Sequence, residues 1–569
     1  MAFGRAALLE RATELCEAFA QRKSLEEVLC HFSEDVLCLE HGLPELAPFL
    51  GRPFRGHAGA RRYFELLAEL LGFTDMAFSD YVVDVEACQV SVRGKAKFTW
   101  LSTGKSWDEV FMYRLKMDDA NLISAYEVWA DSGAAYLART APRLRVLLVS
   151  YEFTFGPFSG NGILARSVAK ALLRLGCQVT VWCCRPHAEA KDQHLDFPEI
   201  PEEDKERLAL VPLQLCEEHG WRKLDDASAW QHFAFASLGP EGRRVLLLAA
   251  AAAEVWCAVD WTGAQALRTL PLQRPLVYMN FRVYSSGVSA TKRPWFDQME
   301  RDALANAQAV VALSEPDRMS LTELGAPQVA VLLPPLRGDV RALAAGAAAP
   351  DLPPQVQAAA QTAQRRRFLV SCVVRLSKEK QALRFARFIA QCSGVLRSLG
   401  LVPLLAGAAA DGYAEEVKTA LRLAAPEAVV LEDFLPPEAL AAIFSRTVLN
   451  FHPCAYDAYG MTVVEAAAMG APSFLSPGCG ASALLGAAAV APPSALPAEE
   501  EMPPEASEAV LAALKDEALL ARLGEEAKER ALHWDEMAYG RRLLEILANT
   551  AGVSAGDEDV AKRRRTGSK

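Results

Sequence analysis

His452-Pro453-Cys454-Ala455-Tyr456-Asp457-Ala458-Tyr459-Gly460-Met461-Thr462-Val463-Val464-Glu465-Ala466-Ala467-Ala468-Met469-Gly470-Ala471-Pro472 is the stretch on which the reading of this chain turns. Two carboxylates, Asp457 and Glu465, bracket a Tyr-Gly turn that runs straight into an alanine-rich segment. Alanine favours helix and Gly-Ala-Pro ends one, so the stretch predicts a loop followed by a short helix. Such a loop offers backbone N–H groups at the positive end of a helix to a ligand. A local reading competes: Thr462 as N-cap, with Glu465 three residues on, is a capping box ahead of a core helix. That reading leaves Asp457, Gly460 and the Gly470-Ala471-Pro472 ending without a role.

Val374-Arg375-Leu376-Ser377-Lys378-Glu379-Lys380 is the second informative segment. It follows the apolar run Phe368–Val374, which reads as a buried strand. Two cations fixed after a strand suit chemistry in which negative charge develops on phosphate. A solvated charged loop is the plainer alternative. Gly160-Asn161-Gly162 follows another strand run, Val146–Ser150. Its glycines bring backbone close to a phosphate at a helix start, or serve as ordinary turn residues.

At 569 residues the chain is too long for one core and suggests three or four domains. With 51% hydrophobic and 23% charged residues it reads as globular, and a net charge of −11 argues against a general nucleic-acid binder. The 13 cysteines form no C-x-x-C pair, so free thiols are the simpler expectation. The N-terminus lacks a continuous apolar signal region, and Val245–Val259 is interrupted by Glu254 and too short to span a bilayer. The expectation is a soluble, cytoplasmic protein with no membrane segment. Lys562-Arg563-Arg564-Arg565 lies in a polar tail and reads as solvated charge rather than a nuclear signal.

Residues 1–140 read as an α+β unit. Helical patterns come first, including Arg61–Leu71. Strands of period two follow: Val90 to Trp100, a turn at Ser102–Lys105, Trp107 to Leu115, then Leu122 to Trp129. From Leu144 strands alternate with helices, predicting a right-handed parallel unit over 141–342 with an irregular insertion at 187–225. An Ala/Pro linker at 343–364 leads to a second such unit at 365–550, closed by helices from Glu517 to Leu547. Residues 551–569 read as a disordered polar tail.

The two motifs in tandem α/β units resemble the group 1 (family 4) retaining glycosyltransferases of GT-B fold. Residues 1–140, with Phe54-Arg55-Gly56-His57-Ala58-Gly59 ahead of a helix, resemble the cone-shaped SnoaL-like fold shared with nuclear transport factor. The fold class implied is α/β: two Rossmann-like domains preceded by an α+β cone. The resemblance implies a nucleoside-diphosphate sugar as donor substrate, no other cofactor and no metal. Asp-x-Asp occurs only at Asp557-Glu558-Asp559, in the tail. Arg375 and Lys380 would hold the diphosphate and Glu465 the ribose. Asp457 and the backbone of Tyr459, Gly460, Met461 and Thr462 would hold the sugar, with Gly160 and Gly162 at the facing turn. Glu152, Asp260, Asn280 and Arg282 would face an unknown acceptor.

Three departures are visible: Asp457 where Glu is usual, Gln381 where Gly commonly follows the Lys, and Asn280 where several relatives have His. They keep alive a decayed sugar-nucleotide-binding scaffold. His452 reads as structural. In the first unit Asp35, His57, Tyr63, Trp129 and Asp131 are candidates to line the cone. A small-molecule enzyme there would need a buried ionisable pair; a structural role or homodimerisation through the sheet is the simpler expectation.

Overall fold

A computed structural model describes residues 3–153, 160–185, 200–214 and 240–553, apart from 289, 327, 347–350, 409–411, 433–434, 493 and 498. Its contacts divide the chain into two units, with the break between Arg143 and Leu144.

The first unit opens with helices Arg5–Ala20 and Leu25–Leu29. Ser24 and Glu27 cap the second reciprocally: the Ser24 hydroxyl accepts from the Glu27 N–H, and the Glu27 carboxylate accepts from the Ser24 N–H. Strands β1 (Phe32–Glu40), β2 (Phe54–Arg55), β3 (Leu71–Asp84), β4 (Gln89–Trp100), β5 (Lys105–Met117) and β6 (Ile123–Trp129) form one sheet in the order β2-β1-β6-β5-β4-β3. Neighbours are antiparallel except β1 and β6, which run parallel. Helix Gly56–Leu70 stands between β2 and β3, and helix Ser132–Thr140 follows β6. The β4–β5 hairpin pairs Trp100 with Lys105 and Gly94 with Phe111.

Strands β1 to β3 escaped the sequence reading, and β3 shows why. Asp75 and Asp80 adopt φ of 55° and 57°, and its pairing with β4 shifts between Thr74 and Ala77 and again between Ser79 and Val82. Each bulge spoils the alternation by which a strand is recognised. Three residues expected to line the cone do not. Asp35 and His57 are exposed. Trp129 is 40% exposed on the opposite face from Tyr126 and Val128, its ring stacked on His41 at 4.2 Å.

The second unit carries two parallel sheets. One comprises β7 (Arg145–Ser150), β8 (Gln178–Arg185), β9 (Leu208–Gln214), β10 (Val255–Val259), β11 (Leu276–Asn280), β12 (Ala309–Ala312) and β13 (Val329–Val331), in the order β13-β12-β11-β10-β7-β8-β9. The other comprises β14 (Leu369–Val373), β15 (Val402–Ala406), β16 (Val429–Leu431), β17 (Thr447–Phe451) and β18 (Ser473–Phe474), in the order β16-β15-β14-β17-β18. Their central strands are covered on both faces, which is why they read as unbroken apolar runs.

Two segments differ from expectation. The insertion expected at 187–225 holds helix Glu202–Lys205 and β9 within its described part, residues 200–214. The linker expected at 343–364 is largely helical: Gly338–Ala344 runs into it and Pro354–Thr362 lies inside it, with Val356 fully buried against Phe368 and Leu369. Helix Glu536–Ala551 returns to the first sheet, where Tyr539, Leu543, Leu544 and Leu547 join the core of Val146, Leu148, Val168 and Leu172. The disordered tail expected over 551–569 lies outside the described residues from 554 on, as does Ser159 before the glycine turn.

Candidate functional site

β14 ends at Val373, and the chain passes through Arg375 into a single 3-10 turn, Lys378–Lys380. Its sheet neighbour β17 ends at Phe451 and delivers His452 to Asp457. Adjacent parallel strands release their loops at the same edge. Lys380 Nζ therefore lies 2.8 Å from Asp457 Oδ2, although the residues are 77 positions apart. His452 Nε2 is 3.2 Å from the same oxygen. Burial alone would push the Asp457 carboxyl up, but Lys380 and His452 outweigh it and hold it well below the usual carboxylate range. His452 moves the other way: burial opposes its charge, while Cys454, Cys479 and Asp457 together raise its pKa well above the ordinary value.

His452, Cys454 and Asp457 bring three ligand-type atoms within 4.8 Å of one another. The Lys380 ammonium already sits on the Asp457 oxygen, so a cation placed there would meet like charge.

Arg375 pairs with the Glu379 carboxylate, whose other oxygen accepts from Arg282 Nη2 at 2.9 Å. Glu379 thus joins a loop of the second sheet to one of the first. Burial lowers the pKa of Arg375, and the Arg282 charge adds to the effect. Arg375 Nε and Ser377 Oγ are buried with no hydrogen-bond partner among the described residues. Gln381, where the family pattern has Gly, adopts φ 53° and ψ 37°, the left-handed region that glycine reaches without strain. Its Oε1 accepts from the Ala455 N–H at 2.6 Å and from Arg384 Nη1 at 3.2 Å, which offsets that strain. The side chain thereby ties this loop to the one carrying Asp457.

Helix Met461–Ala468 starts at Gly460, whose φ is 85°. A Cβ there would lie 2.8 Å from Cys479 Sγ and 3.7 Å from His452 Nε2, so both the conformation and the space exclude a side chain. The helix has no side-chain cap. The Thr462 hydroxyl donates to the Val373 carbonyl at 3.1 Å, so the capping-box reading of Thr462 and Glu465 does not describe this turn. Glu465 is 7% exposed, with Arg337 Nη1 3.9 Å from its Oε1. Burial pushes its carboxyl up to about 7, against Arg337 and with Asp339. Tyr459 is buried, and its carbonyl accepts from the Ala481 N–H at 2.7 Å.

At the first sheet, β7, β10 and β11 deliver Glu152, Asp260 and Asn280 to one edge. Asp260, at φ 53°, accepts from the Phe281 N–H at 2.7 Å, Asn161 Nδ2 at 3.1 Å and the Tyr284 hydroxyl at 3.2 Å. Burial is the main reason its carboxyl rises to about 7; the Phe281 and Arg282 N–H groups and the Tyr284 hydroxyl oppose the rise and Glu152 adds to it. Non-glycine residues in this backbone region concentrate at functional sites. Asn280 donates to the Tyr278 hydroxyl and the Arg282 carbonyl, while its buried Oδ1 has no partner among the described residues. Arg282 lies 5.4 Å from the Tyr284 ring. Gly162 packs against Glu152, and a Cβ on Gly160 would sit 3.4 Å from Met461 Sδ, so the two helix starts meet.

The sequence reading gathers most of this edge but misses its ties. Glu379 stands inside the quoted segment and reads there only as loop charge. The Tyr456 hydroxyl donates to Asp317 at 2.6 Å, a second link between the two sheets' loops with no signature in sequence. Gly478-Cys479-Gly480 braces the acidic loop: the Asp457 N–H donates to the Gly478 carbonyl, and the Gly480 N–H donates to the Asp457 carbonyl. A Pro-Gly-Cys-Gly run just after β18 was the available signal.

Two parallel α/β domains whose loops meet edge to edge, with basic and acidic side chains at the meeting point, are those of a GT-B glycosyltransferase. Residues 159–336 match the glycosyl transferase 4-like domain, and residues 358–530 match glycosyl transferases group 1. This α/β pair is a group 1 glycosyltransferase with a 4-like first domain. The fold is similar to that of sucrose-phosphate synthase from Thermosynechococcus elongatus, with a TM-score of 0.56 at 16% identity over 72% of this chain and 99% of that one. Anabaena HepE in complex with UDP and glucose gives 0.51 at 17%, over 71% and 100%. The trehalose-6-phosphate protein from E. coli bound with UDP-2-fluoro glucose gives 0.51 at 15%, over 71% and 98%. No curated protein sequence matches the chain.

Proposed function

We propose that this glycosyltransferase moves a sugar from a nucleoside-diphosphate sugar to an acceptor hydroxyl with retention of anomeric configuration. The observation that carries the donor assignment is the pair of buried donors without a partner among the described residues, Arg375 Nε and Ser377 Oγ, in the loop that also bears Lys380. Phosphate oxygens would satisfy both, and the two cations would stabilise the charge that collects on the leaving diphosphate. Glu465 would accept from ribose hydroxyls. Asp457 and the backbone N–H groups from Tyr459 to Thr462 would hold the sugar, with Gly160 and Gly162 close by. Glu152, Asp260, Asn280 and Arg282 would receive the acceptor, and Asn280 Oδ1, without a partner among the described residues, is the place for a hydroxyl donor.

Asp457 is a poor nucleophile because Lys380 and His452 already hold its carboxylate. The reaction then proceeds on one face of the sugar. The bond from the anomeric carbon to the phosphate oxygen breaks, the acceptor oxygen bonds to that carbon, and its proton passes to the leaving phosphate. No metal is required in this scheme, since Arg375 and Lys380 supply the positive charge.

Residues 1–140 we read as a SnoaL-like accessory domain that pairs with a second copy, and the enzyme as cytoplasmic. Among the described residues no helix is long and apolar enough to cross a membrane. Incubation of purified protein with a panel of nucleotide sugars, with and without EDTA, tests the central reading. Released diphosphate, unchanged by EDTA, with a product of unchanged anomeric configuration by NMR, is the expected result. Absence of release across the panel would overturn it in favour of a binding scaffold.

A further inference from the structure

Arg375, one of the two cations read above as holding the donor diphosphate, carries an anion of the chain's own. Its Nη2 donates to Glu379 Oε1, while its Nε is buried with no partner among the described residues. Those two nitrogens form one edge of the guanidinium, the fork that grips a phosphate or carboxylate through two parallel hydrogen bonds. One prong of that fork therefore meets a carboxylate and the other meets no acceptor. The second Glu379 oxygen, Oε2, accepts from Arg282 Nη2 at 2.9 Å. Arg282 stands in the loop after β11 of the first sheet, so one carboxylate serves two arginines from loops of different sheets. The side chains of Arg375, Glu379 and Arg282 are 38%, 24% and 24% exposed, so none of the three is sealed from solvent.

We propose that Glu379 is an internal stand-in for phosphate: it keeps the Arg375 fork in place, yields it to the donor diphosphate, and then remains on Arg282 alone. The inference rests on the donor reading above and goes beyond it by naming the residue that sets how tightly the diphosphate is held. A phosphate seated on the Nε and Nη2 edge meets the Glu379 carboxylate at the same nitrogen, and two anions in contact repel. The repulsion is relieved when Glu379 lets go of Arg375. That release is easy, because Arg282 keeps the other oxygen and a partly exposed ion pair is weak. The three side chains carry two positive charges and one negative, so the cluster still attracts an anion. After transfer the order reverses: Glu379 competes again for Arg375 and loosens the leaving diphosphate. Asp457 cannot play this part for Lys380, since His452 holds the same oxygen that Lys380 does. Removing the Glu379 charge also lets Arg375 wander, which weakens binding, but the loss of a negative charge in contact with the phosphate outweighs it.

The test is titration calorimetry on the full-length protein, with inorganic pyrophosphate as the probe that carries no base, and with UDP, GDP and ADP. Glu379→Gln and Glu379→Ala should each bind pyrophosphate, and whichever nucleotide the wild type binds, about ten-fold tighter than the wild type does. That is the effect of removing one charge beside a partly exposed anion. A merely structural Glu379 predicts the opposite sign, since disordering Arg375 can only weaken both. In an Arg375→Met background the gain should largely vanish, because Glu379 then has nothing to compete for. Equal or weaker binding in either Glu379 variant, or a gain that survives Arg375→Met undiminished, would overturn the proposal and leave the donor reading standing. Failure of every form of the protein to bind pyrophosphate or any of the three nucleotides would instead remove the donor reading, and this inference with it.

Discussion

Asp457 and Glu465 stand eight residues apart and end in opposite electrostatic states. Two cationic partners on one oxygen keep Asp457 ionised, while Glu465, with Arg337 no nearer than 3.9 Å, is raised to about 7. If Glu465 accepts ribose hydroxyls, Glu465→Gln should weaken nucleoside diphosphate binding roughly ten- to hundred-fold, since a hydrogen bond to a charged group contributes about 1.5–3 kcal/mol. Unchanged binding by calorimetry would remove Glu465 from the donor site. Its titration also sets a sign. A raised carboxyl favours the protonated state, so the folded chain gains from it below the ordinary value of 4.5 and loses that gain as pH climbs through about 7. The ionised form that binds ribose grows over that same rise. Donor affinity should therefore increase from about pH 6 to about pH 8 in the wild type and be flatter in Glu465→Gln. Asp457→Asn keeps the shape but removes the charge opposite Lys380. Turnover should vanish while diphosphate binding falls only slightly, and a variant with wild-type turnover would place the sugar elsewhere.

Among elements, the loop between β14 and helix Leu383–Ser398 shows how a departure from a family pattern is absorbed. Gln381 accepts a left-handed conformation, which costs a non-glycine residue about 1–2 kcal/mol, and offsets it through Ala455 and Arg384. Gln381→Gly should recover the strain but lose both contacts; Gln381→Ala should lose the contacts and keep the strain. Denaturant unfolding should rank wild type above Gly, and Gly above Ala by about 1 kcal/mol. If Gly proves the most stable of the three, the side-chain contacts contribute little. The same loop marks the limit of what sequence carries. The buried strands and the acidic loop were legible because apolar runs and Gly-containing turns are local signals. Glu379 between Arg282 and Arg375, and Tyr456 on Asp317, were not, because each joins residues of the two sheets that sequence does not pair.

For the whole molecule, the face of β5 and β6 turned away from the core leaves Val110 54%, Met112 38% and Trp129 40% exposed. A second copy of the chain is the partner proposed for that face. Light scattering should give twice the chain mass for the wild type and the single mass for a Val110→Lys, Met112→Lys double variant, with glycosyl transfer retained. A monomeric wild type would sink the idea.

Helix Glu536–Ala551 follows the second α/β domain in sequence and yet belongs to a core begun at Leu144. Gly540 packs closely on Ala171, and Glu536 takes the Lys170 ammonium at 2.7 Å. During synthesis, β7 to β13 leave the ribosome long before the helix that completes their cover. The first α/β domain must wait with an apolar face open while the second domain folds. A nascent chain arrested near residue 350 should yield its 144–342 segment to protease readily, and the released full chain should not. Quality control of this enzyme then acts through one helix: a stop codon just before residue 536 leaves the second domain intact in sequence and the first unfinished.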